Sequence, residues 1–180
     1  RNTPLLCISG RKTNSVTGEG ISGWEINISD SSGRLVNTTR TNDTGYYQFC
    51  GLVPDNYIVC EVLQAGSIPG GAVFLSVPLP CSNVSGKDFR NTRLLCVEGR
   101  KINDCTGEGI PNWRISYWSP NSNGGRNSNG GATSTNATGY FRVCNLTPGI
   151  WTFCEDVPAN WRNVTDRCIE VNLSDSDVLG

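Results

Sequence analysis

The chain repeats itself. RNTPLLCISGRKTNSVTGEGISGWEI, from Arg1, returns as RNTRLLCVEGRKINDCTGEGIPNWRI from Arg90, at an offset of 89. The offset becomes 94 where TGYYQFC (Thr44–Cys50) matches TGYFRVC (Thr138–Cys144). It reads as 89 again where NVSGKDFRN (Asn83–Asn91) meets NLSDSDVLG (Asn172–Gly180). Self-similarity of this length means two copies of one folding unit. Domains of residues 1–91 and 92–180 follow. The extra residues of the second copy fall in Ser119–Ala132, a Gly/Asn/Ser stretch that reads as a hairpin tip. Its repeated Ser-Asn-Gly-Gly lacks the Lys-Ser/Thr and helix of a phosphate-binding loop.

Within each copy the hydrophobic period is two. Trp24-Glu25-Ile26-Asn27-Ile28 and Tyr47-Gln48-Phe49 alternate, and Tyr57-Ile58-Val59 is rich in β-formers. Turn signals separate these runs: Asp30–Gly33, Asn42–Gly45, Val53–Asn56, Asn136–Gly139 and Thr147–Gly149. No stretch carries a helical period. The expected fold is all-β, with two tandem Ig-like sandwiches of about seven strands each.

The frame Gly-Arg-Lys … Thr-Gly-Glu-Gly-Ile-x-Gly-Trp-x-Ile, then Thr-Asn-x-Thr-Gly-Tyr-Tyr-x-Phe, then Tyr-x-Val-x-Glu-Val-Leu-Gln-Ala-Gly, closing on Val-Ser-Gly-Lys-Asp-Phe-Arg-Asn-Thr, resembles the SdrD B-like repeats. These are grouped with the collagen-adhesin B-type (prealbumin-like) domains of microbial surface proteins. The resemblance implies Ig-like sandwiches strung as stalks or fibres outside the cell, without chemistry on substrates. The Asp/Asn-rich calcium loop of such repeats is shortened to TNSVTGEG and INDCTGEG, so calcium is not expected and no cofactor is indicated.

Composition narrows the function further. Asn, Ser, Thr and Gly supply 72 of 180 residues, net charge is −1, and there is no histidine. The absence of histidine excludes Ser-His-Asp and Cys-His catalysis and His-ligated metals. The charge balance gives no nucleic-acid footprint. No apolar run approaches a membrane span. No acid pair is placed for carboxylate catalysis, so the chain is read as a non-enzyme.

Nine cysteines without zinc spacing indicate disulfides in an oxidising compartment. Cys50 and Cys60 flank what reads as a tight hairpin, and Cys144 and Cys154 repeat the spacing. Cross-strand pairs Cys50–Cys60 and Cys144–Cys154 are expected, with Cys7–Cys81 and Cys96–Cys168 joining first and last strands. Other pairings within each unit remain open. Cys105 is left over, as a buried thiol, a bridge to another chain or an alternative partner inside unit two.

Sequons stand at Asn27, Asn37, Asn42, Asn83, Asn136, Asn145, Asn163 and Asn172, where random placement gives roughly three. N-glycosylation is expected, and sugars on Thr38–Thr41 or Ser128–Thr138 are compatible with it. A sugar coat would supply the solubilising layer that the sparse charge does not.

Collagen-adhesin B-type domains often carry a Lys–Asn isopeptide bond beside a buried acid. What the resemblance implies for this chain is Lys12, Asn91 and Glu61 in the first unit. The second offers Lys101 and Glu155, with Gly180 in the asparagine's place. Asn2 of a following chain or repeat would match that position. Parity along Tyr57, Val59 and Glu61 turns the glutamate inward. The plainer reading, an exposed lysine and a structural glutamate, is preferred because disulfides already staple the fold.

Trp24, Trp113, Tyr57 and Trp151 hold repeated positions and are expected in the cores. Tyr117, Trp118 and Trp161 have no aromatic counterparts in the first unit. They are read as packing residues, or as a sugar-stacking platform. The function expected is a structural subunit of an extracellular, glycosylated fibre, sheath or surface layer, self-associating in a linear array. A cell-surface adhesin or carbohydrate-binding stalk module is the alternative.

Overall fold

The computed structural model describes residues 2–120 and 130–180. The described residues are all-β and divide into two units, Arg1–Arg93 and Leu94–Gly180. The break lies just beyond residue 91 because a strand of the first unit runs through Arg93.

Unit one contains β1 (Leu6–Asn14), β2 (Glu25–Asp30), β3 (Leu35–Arg40), β4 (Tyr46–Leu52), β5 (Asp55–Glu61), β6 (Ser67–Pro69), β7 (Phe74–Leu79) and β8 (Phe89–Arg93). They form two four-stranded sheets, ordered β4-β1-β8-β6 and β3-β2-β5-β7. Period-two alternation sends Ile8, Tyr47, Phe49 and Phe89 from the first sheet into a core with Ile26, Ile28, Tyr57, Val59, Val77 and Leu79 from the second. The pair β1/β8 is parallel, with Lys12 opposite Phe89 and Asn14 opposite Asn91.

Unit two contains β9 (Leu95–Arg100), β10 (Arg114–Trp118), β11 (Gly130–Ser134), β12 (Tyr140–Leu146), β13 (Gly149–Glu155) and β14 (Cys168–Leu173). Its second sheet, β11-β10-β13-β14, matches that of unit one, but the first is reduced to β12-β9. Trp113 and Trp151 are buried in its core with Leu95, Val97 and Phe153.

The end of unit two corrects the sequence alignment. Val178 donates its N–H to the Cys96 carbonyl and accepts from Glu98. Val84 does the same between Cys7 and Ser9. Asn83 Oδ1 accepts from Cys7 N, and Asp177 Oδ1 accepts from Cys96 N, each at 2.9 Å. The offset therefore stays at 94, and Gly180 occupies the place of Gly86, not of Asn91.

The expected disulfide pairing is also corrected. The bridges are Cys7–Cys50, Cys96–Cys144 and Cys154–Cys168, each with Cα atoms 4.1 Å apart. Cys60, Cys81 and Cys105 are free. The segment after β4 is not a hairpin: β4 and β5 belong to opposite sheets, so Cys50 and Cys60 are not neighbours. Instead β4 pairs with β1, and the register shift between Leu6 and Ile8 sets Cys7 against Cys50. The same shift in β12/β9 accompanies Cys96–Cys144. In the other sheet Cys154 lies opposite Cys168, whereas Cys60 lies opposite Phe74 and has no thiol to meet.

Under non-reducing conditions, peptide mapping should recover those three bridges. Alkylation of the native protein should label the exposed Cys81 and Cys105 rapidly and Cys60 slowly, because burial raises its thiol pKa. Cys7→Ala should cost about 4 kcal/mol in chemical denaturation and Cys154→Ala about 3 kcal/mol, following loop length.

Candidate functional site

Local turn chemistry builds the site around Lys12. In Thr41-Asn42-Asp43-Thr44-Gly45, Asn42 Oδ1 accepts from the N–H groups of Thr44 and Tyr46, an Asx turn. Gly45 closes the turn at φ 77°. A Cβ there would lie 2.2 Å from the Lys12 carbonyl, so only glycine lets the turn carry β4 against β1. The Gly45 carbonyl accepts from Lys12 N at 2.7 Å. Buried Thr41 donates its hydroxyl to Ile21 O and accepts from Trp24 N, fixing the indole beneath the lysine.

Lys12 is completely buried, correcting the expectation of an exposed lysine. It shares the inward parity of Leu6 and Ile8 on β1. Its ammonium hydrogen-bonds Glu61 Oε2 from the opposite sheet and stands 4.4 Å from the Trp24 ring centroid. Burial pushes the Lys12 pKa below its ordinary value, against the raising effect of Glu61. Asn91 is 1% exposed, on the same parity as Phe89. Neither its carboxamide oxygen nor its nitrogen has a hydrogen-bond partner, and Glu61 Oε1 is likewise unpartnered. Orphaned buried polar groups are costly. Three in one interior, beside a lysine disfavoured as a cation, mark a site with unspent chemistry.

Unit two repeats half of this. Lys101 Nζ is 2.6 Å from Glu155 Oε2 and 4.9 Å from the Trp113 ring centroid. Thr135 bonds Trp113 N and Ile110 O just as Thr41 does for its tryptophan. Gly180 stands at the place of Gly86, five residues before the position that Asn91 holds in unit one. Thr41 and Thr135 escaped the sequence reading, although Thr-Asn-x-Thr-Gly recurs at the offset of 94.

The other candidates are dispersed. Tyr117 packs on Phe153 and Trp151, while Trp161 meets Trp113 edge-on. Among the described residues no ring contact joins them into a platform. Trp118 lines a groove of about 690 Å³ with Arg114, Asp156 and Arg167. Of the sequon asparagines, Asn37, Asn42, Asn83, Asn136, Asn145 and Asn172 are exposed, and Asn27 and Asn163 are half-buried. Part of Ser128–Thr138 lies outside the described residues.

Residues 11–72, which contain Lys12 and Glu61, match the model of the SdrD B-like domain. The matched residues all lie in unit one, which is similar to an SdrD B-like domain there. Colossin-A of Dictyostelium discoideum is 40% identical over 52 residues, covering 29% of this chain and, to the nearest per cent, 0% of that protein. A fibrinogen-binding protein of Staphylococcus epidermidis is 44% identical over 41 residues, covering 23% of this chain and 4% of that protein. The chain thus spans a small fraction of the curated relatives it matches. A streptococcal ancillary pilin structure aligns over the whole chain and 62% of its own length, at 16% identity and a TM-score of 0.48.

Glu61→Ala should destabilise unit one by about 3–5 kcal/mol in urea denaturation, since it leaves the buried Lys12 nitrogen without its partner. Glu155→Ala should cost unit two only about 1 kcal/mol, because the Lys101 side chain is 21% exposed and water replaces the lost partner.

Proposed function

We propose that this chain is a structural module of an extracellular surface stalk or fibre, in which unit one is locked by an amide bond between Lys12 and Asn91. The observation that carries the reading is the fully buried Lys12 and Asn91 on adjacent parallel strands, with Glu61 at the lysine. Neutral Lys12 Nζ attacks Cγ of Asn91, Glu61 passes the proton from the amine to the departing nitrogen, and one ammonia leaves. Atoms balance without a co-reactant.

The position of the bond supports a mechanical role. β1 opens unit one and β8 closes it, so tension along the chain enters through these two strands. Their parallel pairing loads the hydrogen bonds in shear, and a covalent tie between them keeps the intervening residues out of the load path. The Cys7–Cys50 bridge anchors β1 to β4 as well. Tandem units, disulfides and exposed sequons are consistent with a glycosylated, self-associating array outside the cell, and no turnover of substrate is part of this reading. The adhesin reading rests on the groove at Trp118 and would require it to take a sugar or protein ligand.

The reduced protein should weigh about 17 Da less than its sequence mass, from one lost ammonia. Fragmentation should find Lys12 joined to Asn91. Lys12→Met and Glu61→Gln should each remove the deficit relative to the variant's own sequence mass. A full sequence mass in folded wild-type protein would defeat the proposal.

A further inference from the structure

The outward face of sheet β3-β2-β5-β7 carries a cross-strand row, one residue per strand. The register sets Thr38, Asn27, Cys60 and Phe74 side by side. Their sequence neighbours Ile26, Ile28, Val59 and Glu61 are buried, so this row turns away from the core. The adjacent row holds Leu35, Ser29, Ile58 and Ser76. Neither row contains a charged residue; the nearest, Arg40 and Glu25, pair at 2.7 Å in the row on the other side. Phe74 is 61% exposed and Leu35 58%, whereas Cys60 is half-buried. The row is therefore a shallow trough, with a small thiol between Asn27 and a projecting phenyl ring.

Unit two builds the same row differently. Ala132, Ser116, Cys154 and Cys168 stand there, and the two cysteines are joined. In unit one Phe74 takes the place of the second cysteine, and Asn27 takes the place of Ser116. Asn27-Ile28-Ser29 is a sequon. Asn27 Oδ1 accepts from Thr38 Oγ1 at 2.8 Å, a bond that uses the carbonyl oxygen and not Nδ2, the atom to which a sugar attaches.

We propose that an oligosaccharide attached at Asn27 folds back across Cys60 onto Phe74, covering in unit one the row that a disulfide ties in unit two. Attachment joins Nδ2 to the anomeric carbon of a sugar donated as its phosphate ester. The carbon–oxygen bond to that phosphate breaks, and one amide proton leaves with the released phosphate. Neighbouring strands lie about 4.8 Å apart, so Phe74 is within reach of the first sugar rings beyond Asn27. Their C–H faces supply dispersion contact with the phenyl ring and Ile58, while their hydroxyls stay in water. The occupant is the chain's own sugar rather than a protein, because the attachment point lies inside the patch and a protein would have to seat around it. The cover removes an apolar association surface and protects a free thiol from oxidation. This inference rests on the glycosylated, extracellular reading and is independent of the Lys12–Asn91 bond.

Glycopeptide mapping of the protein from its native source should find sugar at Asn27. Maleimide labelling of Cys60 in that folded, glycosylated chain should be about tenfold slower than in Ser29→Ala. This variant removes the sequon but keeps Asn27 and its bond to Thr38, and Cys81 should react alike in both as the folding control. Asn27→Gln should reproduce the Ser29→Ala rate. Phe74→Ala should raise the Cys60 rate several times more in the glycosylated chain than in the Ser29→Ala background. Asn27 without sugar, equal Cys60 rates with and without the sequon, or an equal effect of Phe74→Ala in both backgrounds would overturn the proposal. Sugar at other sequons but not at Asn27 would defeat this inference alone, and absence of sugar at every sequon would defeat the glycosylated reading with it. Neither result touches the Lys12–Asn91 mass deficit.

Discussion

The ion pair between Lys12 on one sheet and Glu61 on the other is the constraint around which unit one is arranged. A lysine without water is tolerated only with a charge partner, and leaving either group alone in the interior is strongly unfavourable. The surrounding sequence serves that placement. Gly45 admits β4 beside the Lys12 carbonyl, Thr41 sets the Trp24 indole under the ammonium, and β8 seals the strand edge with Asn91. The pair leaves the Asn91 carboxamide and one glutamate oxygen without hydrogen-bond partners, and these are the groups that the proposed amide bond would use.

The two units form an internal comparison. They share the threonine, the tryptophan, the lysine and the glutamate, yet Lys12 is sealed while Lys101 touches water. Neither of the second sheets accounts for this, since β3-β2-β5-β7 and β11-β10-β13-β14 correspond. In unit one the strand edge beside Lys12 is covered by β8, where Lys12 lies opposite Phe89, so the burial of this lysine depends on a strand far away in sequence.

How much of this was legible follows the same logic. Period-two alternation at Trp24–Ile28 and Tyr47–Phe49 marked strands and inward faces, because that signal is local. Glu61 and Asn91 could be turned inward by parity alone. Lys12 was misjudged although it has the parity of Leu6 and Ile8, since lysine's preference for water outweighed its position until its partner across the sheets was known. The disulfides failed for a topological reason. A spacing of ten from Cys50 to Cys60 suits a hairpin, but the chain there crosses between sheets, and no local cue distinguishes the two. The return to an offset of 89 at the end was a chance similarity of polar residues. The hydrogen bonds of Val84 and Val178 align the chain differently.

The central claim is that unit one is a closed covalent loop lying outside the line of tension. Single-molecule stretching of the intact chain from its two ends, with the disulfides reduced, tests this most directly. One unfolding event is predicted, with the contour gain of unit two alone at about 3.6 Å per residue. Two full-length events, one from each unit, would contradict it.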